Sequence, residues 1–538
     1  MEFSVAELQE AIAATRPDAE CLVFRDRRLT WADVTERTRR LANHLIGAGL
    51  GVHTERAELA GHESGQDHLA IYLHNGNEYL EAMLGSFKAR VAPFNVNYRY
   101  VAEELRYLLN DSAATAIVVH SEFAPTIADV IGDLPRLRMI LQVPDSSGND
   151  NDLLPGAVWY EDALAAASPD RPPVEWSPDD LYILYTGGTT GMPKGVLWRN
   201  GDANVECFGG SAAPTLVEVI ATADGSLKAL LAPPFMHGAG HWMTFRTWNL
   251  GGTVYVQSIP ERLGPADVWG LVERERLNFV LIVGDAFARP LLDELDAATY
   301  DLTSLTVLLS GGAALSAGLK EEFLEHLPSL IIVDGLGSSE AGGQLAQVSA
   351  GSNATTGTFA LSPGNHVLSA GLDRELRPGE DELGWLAKSG RLALGYLGDA
   401  AKTARAYPVI DGVRYAVPGD RARLRADGIV ELHGRDSVTI NSGGEKIFAE
   451  EVEAAIKAYA EVYDCVVAGR PSDRWGNEVV AVVRMRAGCE ADEQSLLAEA
   501  EQHIARYKLP KAFVFVDEVV RSPSGKADYR WAKEIVAK

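Results

Sequence analysis

Short, uninterrupted runs of apolar residues recur along most of this chain, separated by stretches long enough to form a helix. Continuous runs, unlike alternating ones, are typical of strands buried on both faces, as in the parallel sheets of α/β proteins. The runs begin at His68, Ala116, Met139, Lys228, Phe279, Thr306 and Leu330. They predict a large body of layered α/β sheets.

The pattern changes after Gly434, where apolar runs at 462–468 and 479–486 belong to a shorter α+β stretch. A chain of 538 residues is too long for one hydrophobic core. We therefore predict two domains joined by a hinge. The large N-terminal domain is expected at 1–434 and the small, mobile C-terminal domain at 435–538.

Composition excludes several classes of protein. The formal net charge of −26 is spread along the chain and would repel a nucleic-acid backbone. Any nucleotide site must therefore supply its own local positive potential. The four cysteines form no C-x-x-C pair, so neither a disulfide framework nor a zinc site is expected. No export signal or membrane-spanning run is visible, and we expect a cytoplasmic protein.

The most informative motif is the glycine- and threonine-rich stretch 185–195, which follows an apolar strand. Glycines allow backbone N–H groups to turn toward an anion, threonine hydroxyls donate to phosphate oxygens, and lysine adds charge. The G-x-x-x-x-G-K-[ST] spacing of a Walker A loop is absent. We predict a triphosphate or pyrophosphate site formed by Thr186, Gly187, Gly188, Thr189, Thr190, Gly191 and Lys194.

At this motif the sequence resembles the adenylate-forming superfamily, which includes acyl-CoA synthetases, peptide-synthetase adenylation domains and beetle luciferases. Further motifs follow in the family's order, at 233–240, 309–314, 336–340, 418–420, 434–435, 442–447 and 522–526. The resemblance covers almost the whole chain. It implies a ligase that uses ATP to convert a carboxylic acid to an acyl-adenylate, and then transfers the acyl group to CoA with release of AMP.

The resemblance also implies roles for single residues. Lys526, Glu340 and Thr186 are expected to be catalytic, and Glu340 with Thr189 to hold Mg²⁺. Asp420 is expected to accept the ribose hydroxyls, and Arg435 either contacts ribose and phosphate or pairs with a neighbouring acid such as Asp436. The remaining ATP- and AMP-binding positions are Gly311, Gly312, Ala313, Gly335, Leu336, Gly337, Ser338 and Ser339. The connector before Lys526 is expected to be mobile.

The acyl pocket is expected around the segment that begins at Pro233, with Met236, His237, Gly238, Trp242, Phe245 and Gly312 as its residues. His237 and His241 have a spacing that would suggest metal ligands on a helix. Gly238 and Gly240 argue against a helix there. His237 is interpreted either as a gate of the acyl tunnel or as a satisfied core histidine, and His241 as structural. The CoA side is expected at Gly443, Gly444, Glu445 and Lys446.

Three positions depart from the family pattern: Gly187 replaces a serine, Leu336 an aromatic residue, and Ser437 a hinge Asp or Lys. The apolar pocket segment favours a bulky hydrophobic acid over acetate. Several details resemble actinobacterial ligases for fatty acids and for steroid side-chain acids, and these two substrate classes stay open. A ligase for an aryl acid and a non-catalytic nucleotide-binding relative are the alternatives. The resemblance also allows a homodimer.

Overall fold

The computed structural model describes residues 2–148, 152–188, 191–213, 215–351, 354–442, 445–472, 475–490 and 492–538. Thr189, Thr190, Gly443 and Gly444 lie outside the described residues. The strands, in chain order, are β1 (Glu20–Phe24), β2 (Arg27–Thr30), β3 (His68–Tyr72), β4 (Ala92–Asn95), β5 (Ala116–His120), β6 (Met139–Val143), β7 (Val158–Trp159), β8 (Leu181–Gly188), β9 (Gly191–Arg199), β10 (Lys228–Leu231), β11 (Thr253–Val256), β12 (Phe279–Ile282), β13 (Val307–Gly311), β14 (Ile331–Ser338), β15 (Gly342–Ser349), β16 (Thr358–Ala360), β17 (Asn365–Leu368), β18 (Gly384–Ser389), β19 (Gly395–Tyr396), β20 (Val409–Ile410), β21 (Val413–Ala416), β22 (Asp420–Leu424), β23 (Ile429–Arg435), β24 (Thr439–Ser442), β25 (Glu445–Phe448), β26 (Val462–Ser472), β27 (Gly476–Met485) and β28 (Ala512–Phe515).

The α-helices are α1 (Val5–Thr15), α2 (Trp31–Gly47), α3 (Asn77–Lys88), α4 (Ala102–Asp111), α5 (Ala124–Val130), α6 (Tyr160–Ala166), α7 (Asn200–Glu206), α8 (Leu216–Ala221), α9 (Gly238–Asn249), α10 (Pro265–Glu275), α11 (Gly284–Ala297), α12 (Ala317–His326), α13 (Ala400–Ala406), α14 (Ala449–Lys457), α15 (Glu493–His503) and α16 (Tyr529–Val536). None of the helices among the described residues is long and apolar enough to cross a membrane.

Two large, mainly parallel sheets form the body of the molecule. Their strand orders are β15-β14-β13-β12-β10-β11-β1-β2 and β19-β9-β8-β4-β3-β5-β6-β7. Helices α2 and α3 contribute Trp31 and Leu80 to a buried cluster that also contains Leu22 of the first sheet and Leu69 of the second. The predicted α/β layers are therefore confirmed, and each apolar run of the sequence corresponds to a strand.

Two further sheets complete the fold. The third, of antiparallel strands, contains β16-β23-β22-β18-β21-β20, and β17 pairs with β18. The fourth contains β25-β24-β27-β26, and β28 pairs with β27. The last strand of the third sheet ends at Arg435 and the fourth sheet begins at Thr439, with a short 3-10 turn between them. The predicted small α+β unit is present after Gly434.

Candidate active site

A cavity of about 2510 Å³ lies where the two large sheets and the small unit meet. Many of the predicted site residues line it, although they come from segments far apart in the chain. They are Thr186, Gly187, Lys194, Met236, His237, Gly238, Trp242, Gly311, Gly312, Gly335, Leu336, Gly337, Ser338, Ser339, Glu340, Arg435 and Lys526. The cavity has a polar end around Glu340, Arg435 and Lys526, and an apolar end between α9 and the first sheet.

The glycine-rich stretch is not a free loop after a strand, because it forms a β-hairpin. Strands β8 and β9 pair Thr186 with Lys194 and Gly188 with Gly191. Asn95 fixes the hairpin from behind, since its amide accepts a hydrogen bond from the Tyr185 N–H at 2.8 Å and donates one to the Tyr185 carbonyl at 2.9 Å. The hairpin therefore presents Thr186 and Lys194 side by side to the cavity.

Glu340 is held by two groups that sequence reasoning missed. The Tyr396 hydroxyl donates to Glu340 Oε1 at 2.7 Å, and Tyr407 Oη lies 3.4 Å from the Glu340 carbonyl oxygen. Lys194 Nζ lies 3.6 Å from the same Oε1 and donates to Tyr396 Oη at 2.6 Å. No hydrogen bond among the described residues involves Glu340 Oε2. The carboxylate is thus fixed in direction and keeps one oxygen for another ligand.

Arg435 pairs with Asp420 and not with Asp436. The two residues lie opposite each other on β22 and β23, and Arg435 Nε is 3.3 Å from Asp420 Oδ1. The negative charge of Asp420 raises the pKa of Arg435. Arg435 lines the cavity, whereas Asp420 lies behind it at the start of β22. The pair therefore presents the Arg435 guanidinium to the cavity, with Asp420 behind it as the counter-ion.

Lys526 reaches the polar end of the cavity on a closed turn. The turn is closed by hydrogen bonds from Ser522 N to the Lys526 carbonyl, 2.9 Å, and from Gly525 N to the Ser522 carbonyl, 2.8 Å. Arg521 Nη1 also donates to the Gly525 carbonyl at 3.1 Å. The expected mobile connector is thus a turn with internal hydrogen bonds, so Lys526 is positioned by the small unit as a body.

Burial, and then the nearby Arg435 guanidinium, lowers the pKa of Lys526 to about 8. Lys526 is nevertheless an exposed residue, because it lines the open cavity. Its Cε is 3.7 Å from the position that a Cβ at Gly312 would take, and Gly312 has a φ of +92°. The carboxylates of Asp420 and Glu340 act in the opposite direction on the pKa of Lys526, so charges of both signs meet at this end of the cavity.

The prediction that no helix forms at His237 was wrong, because α9 begins at Gly238 with His237 as its N-cap. A glycine is required in this first turn: a Cβ at Gly240 would lie 2.7 Å from the Pro234 carbonyl oxygen. This close packing outweighs the destabilisation of a helix by glycine, which is about 1 kcal/mol relative to alanine. His241 is structural, as predicted, since its Nδ1 donates to the Phe235 carbonyl at 2.6 Å.

His237 is not a satisfied core histidine. Its Nε2 is buried and has no hydrogen-bond partner among the described residues. Burial, followed by the charge of Lys526, lowers the pKa of His237 to about 3, so the ring is neutral. No group of three potential metal ligands occurs in the described ranges, and the role of His237 as a gate of the acyl tunnel stays a prediction.

Several predicted residues do not line the cavity. Phe245 lies on another face of α9 and packs against Phe208 at a ring-centroid distance of 4.7 Å. Ala313 packs toward Gly284. The expected CoA-side residues Glu445 and Lys446 are exposed on β25, and they reach the cavity only if the small unit moves.

The site and the fold have the form of an enzyme that binds a nucleotide and a hydrophobic acid in one cavity. The "AMP-binding enzyme" family model matches residues 9–397, and the "AMP-binding enzyme C-terminal domain" model matches 451–526. The chain belongs to this family of AMP-binding enzymes.

Similarity to individual proteins indicates which kind of AMP-binding enzyme this chain is. The chain is similar to the medium-chain acyl-CoA ligase Mig of Mycobacterium avium, at 53% identity over 99% of this chain and 98% of the relative. It is also similar to a medium/long-chain-fatty-acid–CoA/3-oxocholest-4-en-26-oate–CoA ligase of Mycolicibacterium smegmatis, at 40% identity over 99% and 97%. The fold matches the crystal structure of the anthranilate CoA ligase AuaEII with a TM-score of 0.83 at 20% identity, covering 100% and 98% of the two chains. The predicted class, an ATP-dependent acyl-CoA ligase acting through an acyl-adenylate, is confirmed.

Proposed function

We propose that the chain activates a hydrophobic carboxylic acid of medium length or longer, either a fatty acid or a steroid side-chain acid. The observation that carries this proposal is the shape of the cavity. Its polar end, with Lys526, Arg435 and Glu340, continues into an apolar end lined by residues such as Trp242 and Leu309. The named activities of the two relatives support the same substrate class.

In the first half-reaction the acid's carboxylate attacks the α-phosphate of ATP, and pyrophosphate leaves. The main demand is to stabilise the charge on the phosphoryl group, which fixed cations and backbone N–H groups meet without reorganising. Lys526 and Arg435 supply that charge from the small unit and the third sheet, and Lys194 supplies it from the hairpin. Thr186 is proposed to orient the phosphate chain, and Asp420 to bind the ribose.

The described residues fit a magnesium ion held through Glu340. Mg²⁺ is usually bound by one or two carboxylates together with phosphate oxygens, and one well-oriented carboxylate is therefore sufficient. Glu340 Oε1 is occupied by Tyr396, and Oε2 has the freedom to bind a cation. When bound, the ion would neutralise charge on the ATP phosphates. Thr189, the second proposed ligand, lies outside the described residues.

In the second half-reaction the CoA thiol displaces AMP from the acyl-adenylate. We propose that the domains 1–434 and 435–538 reorient between the two steps, which replaces Lys526 by the β24–β25 hairpin with Glu445 and Lys446. The exposure of that hairpin in the present arrangement supports a role in a different one. A cytoplasmic location and a homodimer stay predictions, and light scattering of the purified protein tests the second.

The experiment is an assay of AMP formation with ATP, CoA and a panel of acids: a fatty-acid series, a steroid side-chain acid and an aryl acid. We expect turnover of medium or long fatty acids or of the steroid acid, and a loss of more than about a hundredfold in Lys526→Ala. A preference for the aryl acid would support the alternative ligase. If no acid gave AMP, the enzyme would not be the ligase proposed here.

A further inference from the structure

Helix α9 lines the cavity along one of its faces. Ala239, Trp242, Met243, Arg246 and Leu250 recur every three or four residues, which is the spacing of one helix face. All of them except Arg246 are apolar or aromatic. The apolar end of the cavity therefore contains a single cation of α9, about one turn beyond the aromatic ring of Trp242.

The Arg246 guanidinium has no hydrogen bond or ion pair with any residue that the structure describes. By contrast, Glu206, which lines the same cavity, is paired with Lys388 at 2.5 Å. Many exposed arginines are unpaired because water solvates them, so the missing partner alone says little. What distinguishes Arg246, an exposed residue, is its place on the wall of the cavity beside the apolar residues of α9, where a guanidinium offers five donors to a ligand.

The Arg246 guanidinium lies close to the backbone at Gly209. Gly209 has a φ of +56°, and a Cβ at this position would lie 2.8 Å from Arg246 Nη1. Any side chain at 209 would therefore push the guanidinium away. The glycine leaves room for the charged group to lie against the backbone, which a surface arginine projecting into solvent would not need.

The distance between Arg246 and the polar end of the cavity, where the carboxyl group reacts, can be measured along helix α9. His237, next to Lys526, and Arg246 are separated by nine residues, or about 13 Å along the axis of α9. An extended chain covers about 3.5 Å per three bonds, so roughly ten or eleven bonds connect the two places. An acid of about this length would bring its far end to the guanidinium.

We propose that Arg246 binds an oxygen atom at the far end of the substrate, so that the enzyme prefers acids carrying a ketone, hydroxyl or second carboxylate about ten bonds from the reacting carboxyl. This inference rests on the proposed function. The shared chemistry is an acceptor oxygen for the guanidinium. A carboxylate binds the guanidinium more strongly than a neutral oxygen does. This difference in binding free energy decreases as the salt concentration rises, because the site is open to water.

The test compares kcat/KM for decanoate, its ω-hydroxy acid and decanedioate in the wild type, Arg246→Met and Arg246→Lys. Met keeps the apolar stem without the charge. We expect the ratio of the oxygen-bearing acids to decanoate to fall about tenfold in Arg246→Met, to be partly retained in Arg246→Lys, and decanoate itself to change little. Raising the salt concentration should lower the ratio for decanedioate more than for the hydroxy acid.

A second variant retains the Arg246 guanidinium but changes its position. Gly209→Ala displaces the guanidinium, and we expect the same ratio to fall while Arg246 is still present. If Arg246→Met leaves the ratio unchanged, or lowers kcat/KM for all three acids equally, the proposal is overturned. If the wild type activates neither these three acids nor the longer fatty acids and the steroid side-chain acid, the proposed function fails instead, and the two failures are thus distinct.

Discussion

A buried ion pair connects the small unit to the large body. Lys457 Nζ of α14 lies 2.7 Å from Asp285 Oδ2 of α11, and the two side chains are only 16% and 11% exposed. Asp285 Oδ1 also accepts a hydrogen bond from the Ser316 N–H at 2.7 Å. Burial alone would raise the pKa of Asp285, but the Lys457 ammonium and the hydrogen bonds lower it below its ordinary value. The carboxylate is therefore charged and depends on Lys457.

Replacing Lys457 by methionine leaves the Asp285 carboxylate buried without its counter-ion. Removing one partner of a buried pair costs roughly 3–5 kcal/mol. In this variant Asp285 still accepts the hydrogen bond from the Ser316 N–H and is still stabilised by the positive charge of Arg521. We therefore expect a cost at the lower end of this range, about 3 kcal/mol. Because the pair joins two units, this energy is lost only from the arrangement in which Lys526 reaches the cavity. It corresponds to about a hundredfold in the equilibrium between that arrangement and others.

The two half-reactions are measured separately. We expect kcat/KM for acyl-adenylate formation, followed by pyrophosphate release, to fall roughly ten- to a hundredfold in Lys457→Met. Conversion of a supplied acyl-adenylate to acyl-CoA should change less than about threefold, since we propose that this step uses a different arrangement of the two domains.

Lys508 provides a matched control for this experiment. It pairs with Glu451 at 2.6 Å, the two side chains are 19% and 18% exposed, and both residues lie within the small unit. Lys508→Met should leave the ratio of the two half-reactions unchanged. Equal losses in both half-reactions of Lys457→Met, or the same change in Lys508→Met, would refute the reasoning.

Four other predictions follow from single residues. Gly187→Ser should keep pyrophosphate release within about tenfold of the wild type, because a Cβ there meets its nearest atom only at 3.9 Å and one hydroxyl contributes about 1 kcal/mol. Tyr396→Phe removes the donor to Glu340 and should raise the Mg²⁺ concentration needed for half-maximal adenylation several-fold. Since burial lowers the pKa of Lys526 to about 8, kcat/KM for ATP should fall as the pH rises through about 8, and Lys526→Arg should lack that decrease. Burial raises the pKa of Glu450 from 4.5 to about 7, so the folded state binds this proton more tightly than the unfolded chain and stability falls as the pH rises between these values. Glu450→Gln should then raise the melting temperature at about pH 8 more than at about pH 5, and an equal change at both would contradict this.

Elements defined by local pattern could be predicted from the sequence. A strand buried on both faces must be apolar along its whole length, and the runs at His68 and Phe279 therefore stand out in the sequence. The start of α9 could not be predicted in this way. Gly238 and Gly240 disfavour a helix locally, and only contacts visible in three dimensions explain them: Gly240 lies against the Pro233–Pro234 backbone, and Gly238 lies against the ring of Trp242.

The residues of the candidate site likewise include some that the sequence predicts and some that it does not. Residues within one linear motif, such as Glu340 or Lys526, could be predicted because the motif is continuous. Tyr396 could not, since it reaches Glu340 only because β19 pairs with β9, some 200 residues earlier in the chain. The Asp285–Lys457 pair likewise depends on how the small unit packs against α11, for which a single sequence contains no signal.

The electrostatics of the cavity connect these observations. The chain has a net charge of −26, yet Lys526, Arg435 and Lys194 line the same polar end. The lowered pKa of Lys526 means that desolvating its ammonium, and then placing it beside Arg435, costs free energy in the absence of a ligand. A polyphosphate between the two would remove that cost and favour the charged lysine. Nucleotide binding and the approach of the small unit should therefore promote each other, and the Lys457–Asp285 pair holds the arrangement in which they meet.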